Sequence, residues 1–309
     1  MTSVTSVGAD EAYFNGMDNT KPSAGAFGPI VLATDFSPAS SAALLLAGKA
    51  ARLFKARLTV VHVFQYPIHH GYLVRVRWMV EMLRNEVREK MKEVARRLGE
   101  LGIQAETVMI EDGFPSEEIA AYVGRCKNPL VFVGTHAVGG MDRFLLGSTA
   151  EQILREAPCP VVTTGPHVRA TGAGGACFSR VLYPTDCGEA SLKAVPTVAL
   201  IRRFLPGALR ILQVATGHER DGPSDRERFA PVREALESSE WNSSPAPPEF
   251  ATKHGTEISQ AIVNEAERYS ADLIVLGVHR ASALASHLGP KLAFHVIASA
   301  PCPVLTFAS

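Results

Sequence analysis

The chain has 309 residues, a length that suits two domains of ordinary size. Thirty-one basic residues balance thirty-one acidic ones, so no net charge draws the protein to nucleic acid or to an anionic membrane. Apolar residues are 46% and charged residues 20%, as in soluble globular proteins; no apolar run approaches a membrane span, and five cysteines without CxxC spacing argue against zinc or a redox pair.

Residues 1–26 are polar and without period, and they read as a disordered tail lacking the basic and apolar regions of a secretory signal. The default location is therefore the cytoplasm. Pro29 to Thr34 is a short apolar strand, and Ser37 and Pro38 suit the cap and first turn of a helix running over Ala39 to Phe54. Leu58 to Val63 is the next strand. Tyr72 to Leu98 carries an apolar stripe at Leu73, Val76, Val80, Leu83, Val87, Val94 and Leu98, which predicts a long amphipathic helix whose charged face is solvated. Then follow a strand over Gln104 to Ile110, a helix from Pro115 to about Cys126, a strand over Leu130 to Val133, a glycine-containing loop, a helix over Ser148 to Arg155 and a strand over Pro160 to Thr164. Strands that are continuously apolar and alternate with helices predict an α/β fold, a parallel sheet covered on both faces.

Residues 166–177 hold Gly172, Gly174 and Gly175 and read as a flexible linker. Beyond it the order starts again. Strands are expected over Arg180 to Thr185, Leu209 to Ala215, Phe250 to Lys253, Leu273 to Leu276 and Val304 to Phe307. Helices are expected over Glu189 to Phe204, Arg226 to Glu237, Ile258 to Tyr269 and Leu292 to Ser299, with Thr216 to Pro248 the most irregular stretch. The halves are copies. Ala157-Pro158-Cys159-Pro160-Val161-Val162 returns as Ala300-Pro301-Cys302-Pro303-Val304-Leu305, and Val133-Gly134-Thr135-His136 as Leu276-Gly277-Val278-His279, both at an interval of 143 (157 to 300, 134 to 277). Val31 to Asp35 is echoed by Leu182 to Asp186 at an interval of 151 (35 to 186). Residues 27–165 and 178–309 are thus two tandem domains.

The loop from Gly134 to Thr149 leaves the C-terminal end of a strand and finishes at a helix start, which is where open α/β sheets bind ligands. Glycines let main-chain amides approach phosphate, and Ser148 and Thr149 add donors at the positive end of a helix. Gly140 stands where a Walker A loop needs Lys, and the glycine spacing is not that of the dinucleotide fingerprint. Each residue also has a bland reading: Asp35 as a helix cap, Ser148 as an N-cap, Arg143 as a solvated loop residue, His62 as a satisfied core histidine. His69, His70 and His136 have no partner at metal-ligand spacing. Cys159 and Cys302 read as small buried hydrophobes.

With these residues the chain resembles a tandem universal stress protein. That family's nucleotide signature is Gly, two residues, Gly, nine residues, Gly, then Ser or Thr; here it reads Gly134, Ala137, Gly147, Ser148. Asp35, His62-Val63 and the Cys-Pro-Val repeats also match the family, and the likeness spans roughly 27–165 and 178–309. The resemblance implies two doubly wound, Rossmann-like sheets of the adenine nucleotide alpha hydrolase-like kind. It also implies ATP, alone or with Mg, in the first half. Asp35 and Val63 would hold the adenine and ribose end near Ala33, Val133 would lie at the base of the loop, and Gly134, Gly147, Ser148 and Thr149 would bind phosphates. Ala137 departs from the family's second glycine; if that position needs a positive φ, its Cβ costs about 1–2 kcal/mol.

The second half keeps Asp186 and Gly277 but has Arg280, Pro290 and Lys291 where the first has Ala137, Gly147 and Ser148, with Gly289 one residue early. Pro290 has no N–H for a phosphate, and Asp186 with Glu189 reads equally as a capping box. This half is expected not to hold ATP in the family mode and to stand in for a partner subunit, Val161 to Thr163 pairing with Val304 to Thr306; whether chains dimerise again is open. The leading function is an ATP-binding regulatory or stress-response protein with an unassigned protein partner. No catalytic constellation is visible, and slow ATP hydrolysis is left open. The alternatives are a nucleotide-independent scaffold and an adenylyl-transfer enzyme, the latter disfavoured by the acidic Asp35-Phe36-Ser37-Pro38 turn.

Overall fold

The computed structural model describes residues 5–7, 27–66, 77–135, 146–168, 178–205, 207–216, 224–239, 246–278 and 290–308. In the first half the elements are β1 (Thr5–Val7), β2 (Ile30–Ala33), α1 (Pro38–Phe54), β3 (Leu58–Phe64), α2 (Arg77–Glu100), β4 (Ala105–Glu111), α3 (Pro115–Gly124), β5 (Leu130–Gly134), α4 (Ser148–Glu156) and β6 (Val161–Thr164). The second half has β7 (Arg180–Pro184), α5 (Glu189–Leu192), α6 (Val195–Phe204), β8 (Ala208–Ala215), α7 (Asp225–Arg228), α8 (Ala230–Ser238), β9 (Glu249–His254), α9 (Ile258–Tyr269), β10 (Leu273–Val278), α10 (Pro290–Ser299) and β11 (Val304–Ala308). Both halves contribute to one sheet, ordered β1-β4-β3-β2-β5-β6-β11-β10-β7-β8-β9. From β4 and from β9 inward the order is the same, as the repeat demands. Pairing is parallel within each half. At the centre β6 and β11 run antiparallel, with Thr163 opposite Val304, Val162 opposite Leu305 and Val161 opposite Thr306.

The apolar strands bury both faces. Ile30, Leu32, Leu130 and Phe132 pack with α1 and α2 on one side, while Val31, Ala33, Val131 and Val133 pack with α3 and α4 on the other. The second half repeats this with α6 and α8 on one face and α9 and α10 on the other. Each half is therefore doubly wound, because every side chain of a central strand has a helix to meet.

Several expectations need correction. Thr5–Val7, in the stretch expected to be disordered, forms β1 against the outer side of β4, Ser6 opposite Met109. An uncovered β4 would offer a row of unpaired amides and carbonyls, and a Thr/Val segment satisfies them. The helix expected over Glu189 to Phe204 is two, because Pro196 has no N–H to donate back to Leu192 and the chain turns at Lys193 and Ala194. The helix expected over Arg226 to Glu237 is also broken, at Phe229, before Pro231. Of the stripe predicted from Tyr72, α2 is described from Arg77; its exposed face carries ion pairs such as Glu86–Lys90 at 2.6 Å and Glu89–Lys92 at 2.7 Å. Such exposed pairs add little stability. Among the described residues no helix is long and apolar enough to cross a membrane.

Candidate functional site

The strand order reverses direction between β2 and β5, and there the two strands end together, Ala33 opposite Val133. Beyond Ala33 the chain must leave the sheet and enter α1. Thr34 N–H still donates to the Val61 carbonyl at 2.9 Å. Phe36 then takes a left-handed φ of 62°, its amide held by Thr34 Oγ1 at 3.0 Å. Asp35 Oδ1 accepts the Ser37 amide at 2.9 Å, and Ser37 Oγ caps α1 by accepting the Ser40 amide at 3.2 Å. Asp35 is thus not the helix cap; it closes an Asx turn, leaving its carboxylate exposed at the strand end. Burial raises its pKa, but hydrogen bonds from the Ser37 side chain and amide and from Ser40 outweigh this and hold the carboxyl below its usual range.

Within a strand, amide and carbonyl directions alternate from residue to residue. Val61 faces β2 and gives its carbonyl to Thr34, so Val63, two residues on, turns its N–H and C=O the same way after β2 has ended. That main-chain edge lies open beside Asp35 and could hydrogen-bond a planar ligand. His62 points elsewhere: its Nδ1 lies 2.8 Å from the Thr34 carbonyl and its ring is 4.5 Å from that of Phe36. It is a satisfied core histidine. Burial lowers its pKa, against the opposing pull of the Thr34 carbonyl and Asp35.

Two glycines of the signature play different parts. A Cβ on Gly134 would sit 2.2 Å from the Ala39 carbonyl oxygen and 2.5 Å from the Ser40 amide nitrogen, so glycine here lets β5 meet the start of α1. Among the described residues a Cβ on Gly147 would meet nothing within 4 Å, and its φ is −55°. None of those residues requires a glycine there. Gly147 is the N-cap residue of α4 and has no side chain to cap with; the first intrahelical bond runs from Glu151 N–H to Gly147 carbonyl at 3.0 Å. Ser148 is therefore not the N-cap, and the amides of Ser148 and Thr149, both exposed, precede that first bond. The structure brings Ala33, Asp35, Val63, Val133 and Gly134 to the ends of β2, β3 and β5, and Gly147, Ser148 and Thr149 to the start of α4. Ala137, Gly139, Gly140, Arg143 and His136 lie outside the described residues, as do His69, His70, Arg280 and Gly289. Among the described residues no cluster of His, Cys, Asp or Glu could hold a metal ion.

The second half repeats the turn. Cys187 has φ 60°, its amide bonded to Thr185 Oγ1 at 2.9 Å, and Asp186 Oδ1 accepts the Gly188 amide at 2.9 Å. The capping box expected from Asp186 and Glu189 is absent: Gly188 is the N-cap, Ser191 Oγ donates to Asp186 Oδ1 at 2.7 Å, and Glu189 pairs with Lys193 instead. Thr34 and Ser40, which sequence reasoning did not single out, match Thr185 and Ser191; the signal was Thr-Asp, four residues, then Ser, at the interval of 151 (34 to 185, 40 to 191). Gly277 is as tightly placed as Gly134, its Cβ position 2.3 Å from the Ala190 carbonyl. A cavity of about 110 Å³ opens here, lined among others by Asp186, Leu212, Val214, Gly277, Leu292 and Ala293. Leu292 and Ala293 begin α10, so in this half the helix start and the strand ends line a single crevice.

The repeated domain and its fold recur in known proteins. A model of the universal stress protein family matches residues 26–164 and again residues 178–307. The chain belongs to the universal stress protein family. Relatives within it include a universal stress protein of Methanocaldococcus jannaschii, 33% identical over 135 residues, covering 43% of this chain and 79% of that one. One from Thermus aquaticus is 32% identical over 137 residues, covering 44% of this chain and 97% of that one. One from Mycobacterium tuberculosis is 29% identical over 193 residues, 55% of this chain and 62% of that one. The crystal structure of a universal stress protein from Archaeoglobus fulgidus shares the fold across both halves, with a TM-score of 0.69, 21% identity and coverage of 91% of this chain and 98% of that one.

Proposed function

We propose that the first half binds an adenine nucleotide, ATP alone or with Mg, as an effector in a cytoplasmic stress-response protein, and that the second half is its permanent partner subunit. The observation that carries this reading is Gly147: its φ is ordinary and no described residue crowds it, yet it stands directly before the uncapped start of α4. A site for phosphate explains a residue with no side chain there, since the first amides of a helix and its dipole favour an anion. The exposed Asp35 carboxylate and the free edge of Val63 supply the nucleoside end. The nucleotide selects a conformation or a protein partner and is not consumed; the first strand-to-helix turn presents a carboxylate where transfer chemistry calls for a cation. The second half does not take ATP in this way, because α10 begins with Pro290, which has no amide proton.

Calorimetric titration of ATP into the wild-type chain and Gly147→Val tests the reading. Wild type should bind, and Gly147→Val should lose binding at unchanged melting temperature. ATP binding that Gly147→Val leaves intact would place the nucleotide elsewhere; no binding to wild type would leave a nucleotide-independent scaffold.

A further inference from the structure

We propose that the outer edge of β9 is a homodimer interface, at which two copies of this chain pair β9 with β9 in an antiparallel register centred on Ala251. β9 is the last strand of the eleven-stranded sheet, and no described strand lies beyond it. Its counterpart in the first half is β4, Thr252 matching Met109 at the interval of 143 (109 to 252). There β1 covers the edge, Ser6 opposite Met109. One end of the sheet is thus closed from within the chain, while the other presents open main-chain groups, through which sheets associate. Gly255 N–H donates to the Ala215 carbonyl at 3.2 Å, so Lys253 and Ala251 also turn their amides and carbonyls toward β8. By alternation Phe250 and Thr252 turn theirs outward.

Symmetry and charge decide what fits that edge. A two-fold axis normal to the sheet keeps each face on its own side, so the register must be centred on one residue opposite itself. The β6–β11 junction obeys this rule, with Val162 opposite its counterpart Leu305. With Ala251 at the centre, Phe250 lies opposite Thr252 of the partner subunit, and the outward amides and carbonyls of the two strands bond to each other. Glu249 then faces Lys253 of the partner subunit, and Lys253 faces Glu249 of the partner subunit. Both pairs fall at non-hydrogen-bonded positions, where facing side chains come closest. Centring on Glu249 or on Lys253 would set like charges face to face, and centring on Phe250 or on Thr252 forms neither pair. The side chains are placed for the Ala251 register. Among the described residues Glu249, more than half exposed, gives only Oε2 to Arg210, at 2.6 and 3.0 Å. Lys253 has a long 3.5 Å pair to Glu265, which Arg210 serves at 2.7 Å. On the other face Phe229 and Arg233 hold Phe250, and Asp225 accepts from Thr252 Oγ1, so the strand is fixed before it pairs. Because β1 closes β4, association stops at two copies and does not run on into a fibre. The interface does not rest on the nucleotide reading of the first half.

Sedimentation equilibrium of the full chain over a range of concentrations should show a reversible monomer–dimer equilibrium. Glu249→Lys and Lys253→Glu each set two like-charge pairs across the junction and should weaken self-association at least about tenfold. Mixed in equal amounts, the two variants restore both opposite-charge pairs, so the mixture should dimerise as wild type does. Thr252→Pro removes an outward amide that the fold does not use and should be monomeric, with its circular dichroism unchanged. Hydrogen exchange of wild type needs no variant and decides the matter should the variants fail to fold: the Phe250 and Thr252 amides should exchange more slowly as protein concentration rises. A wild type that stays monomeric at about millimolar concentration, a dimer that Thr252→Pro leaves intact, or a mixture that associates no better than either variant alone overturns the proposal. Protection of those two amides at every concentration would mean that the chain covers this edge itself, and overturns it as well.

Discussion

Val162 and Leu305 face each other across the antiparallel junction of β6 and β11, both essentially inaccessible to solvent. This contact makes one sheet of two domains, and it belongs to the same core that holds α1 in the first half and α6 in the second. Leu305→Ala should therefore cost about 2–5 kcal/mol. Urea unfolding of wild type should show a single transition in which both halves melt together; two separated transitions in wild type would mean the junction does not couple them.

The two signature glycines should behave oppositely. Gly134→Ala forces a Cβ against the Ala39 carbonyl and should destabilise the fold by about 1–3 kcal/mol, whatever its effect on nucleotide. Gly147→Val should melt as wild type does. Thermal unfolding of the pair decides it, and a destabilised Gly147→Val would show that the glycine serves packing after all.

His62 and Gln213 occupy equivalent positions, at the interval of 151 (62 to 213), but only His62 meets a carbonyl; the buried Oε1 of Gln213 has no hydrogen-bond partner. Because burial holds the folded pKa of His62 below the usual 6.5, the unfolded chain takes the proton first. Stability from this group is full above about pH 6.5 and is lost as the pH falls toward the lower folded value. His62→Gln should flatten the stability profile below pH 6.5, and Gln213→His should raise stability at pH 8 by up to about 1–3 kcal/mol by removing an unsatisfied buried group. Denaturant midpoints measured across that pH range check both, and an unchanged slope in His62→Gln would assign the acid sensitivity to other groups.

Cys302 should be inert. Burial, with a smaller contribution from the Asp272 charge, pushes its thiol up to about 12. At pH 8 the thiolate fraction is then about 10⁻⁴. Mass spectrometry after brief iodoacetamide treatment should find it unmodified in the folded protein and alkylated in urea; rapid alkylation of the folded chain would contradict its packed position.

Much of this architecture was legible in the residues. Continuously apolar runs marked the parallel strands, Ile258 to Tyr269 matched α9 from end to end, and Ser37-Pro38 announced the start of α1. The pairing of Val161 to Thr163 with Val304 to Thr306 was implied by the family resemblance, whose last strands pair across a two-fold axis, and β6 and β11 pair in that register. Less was legible where a short-range choice decided the outcome. Pro196 and Pro231 each had the power to break a helix, but a proline in a helix's first turn is also tolerated, and periodicity alone does not choose. β1 was hidden because three residues in a polar tail carry no pattern; only the unfinished edge of β4 gives them a place. In the site, the glycines were visible as a class, whereas the difference between Gly134 and Gly147 appears only when the atoms around each are known. The turn at Asp35 and Asp186 was half visible: the aspartates stood out, but their Thr and Ser partners required the two halves to be compared at one interval.

The central claim, one working phosphate site per chain, is tested most directly by counting the nucleotide released when natively purified protein, reloaded with ATP and desalted, is denatured. The account predicts about one ATP or ADP per chain, and none from Gly147→Val. Two per chain would mean that Pro290 does not close the second half to phosphate; none from wild type would contradict the nucleotide reading itself.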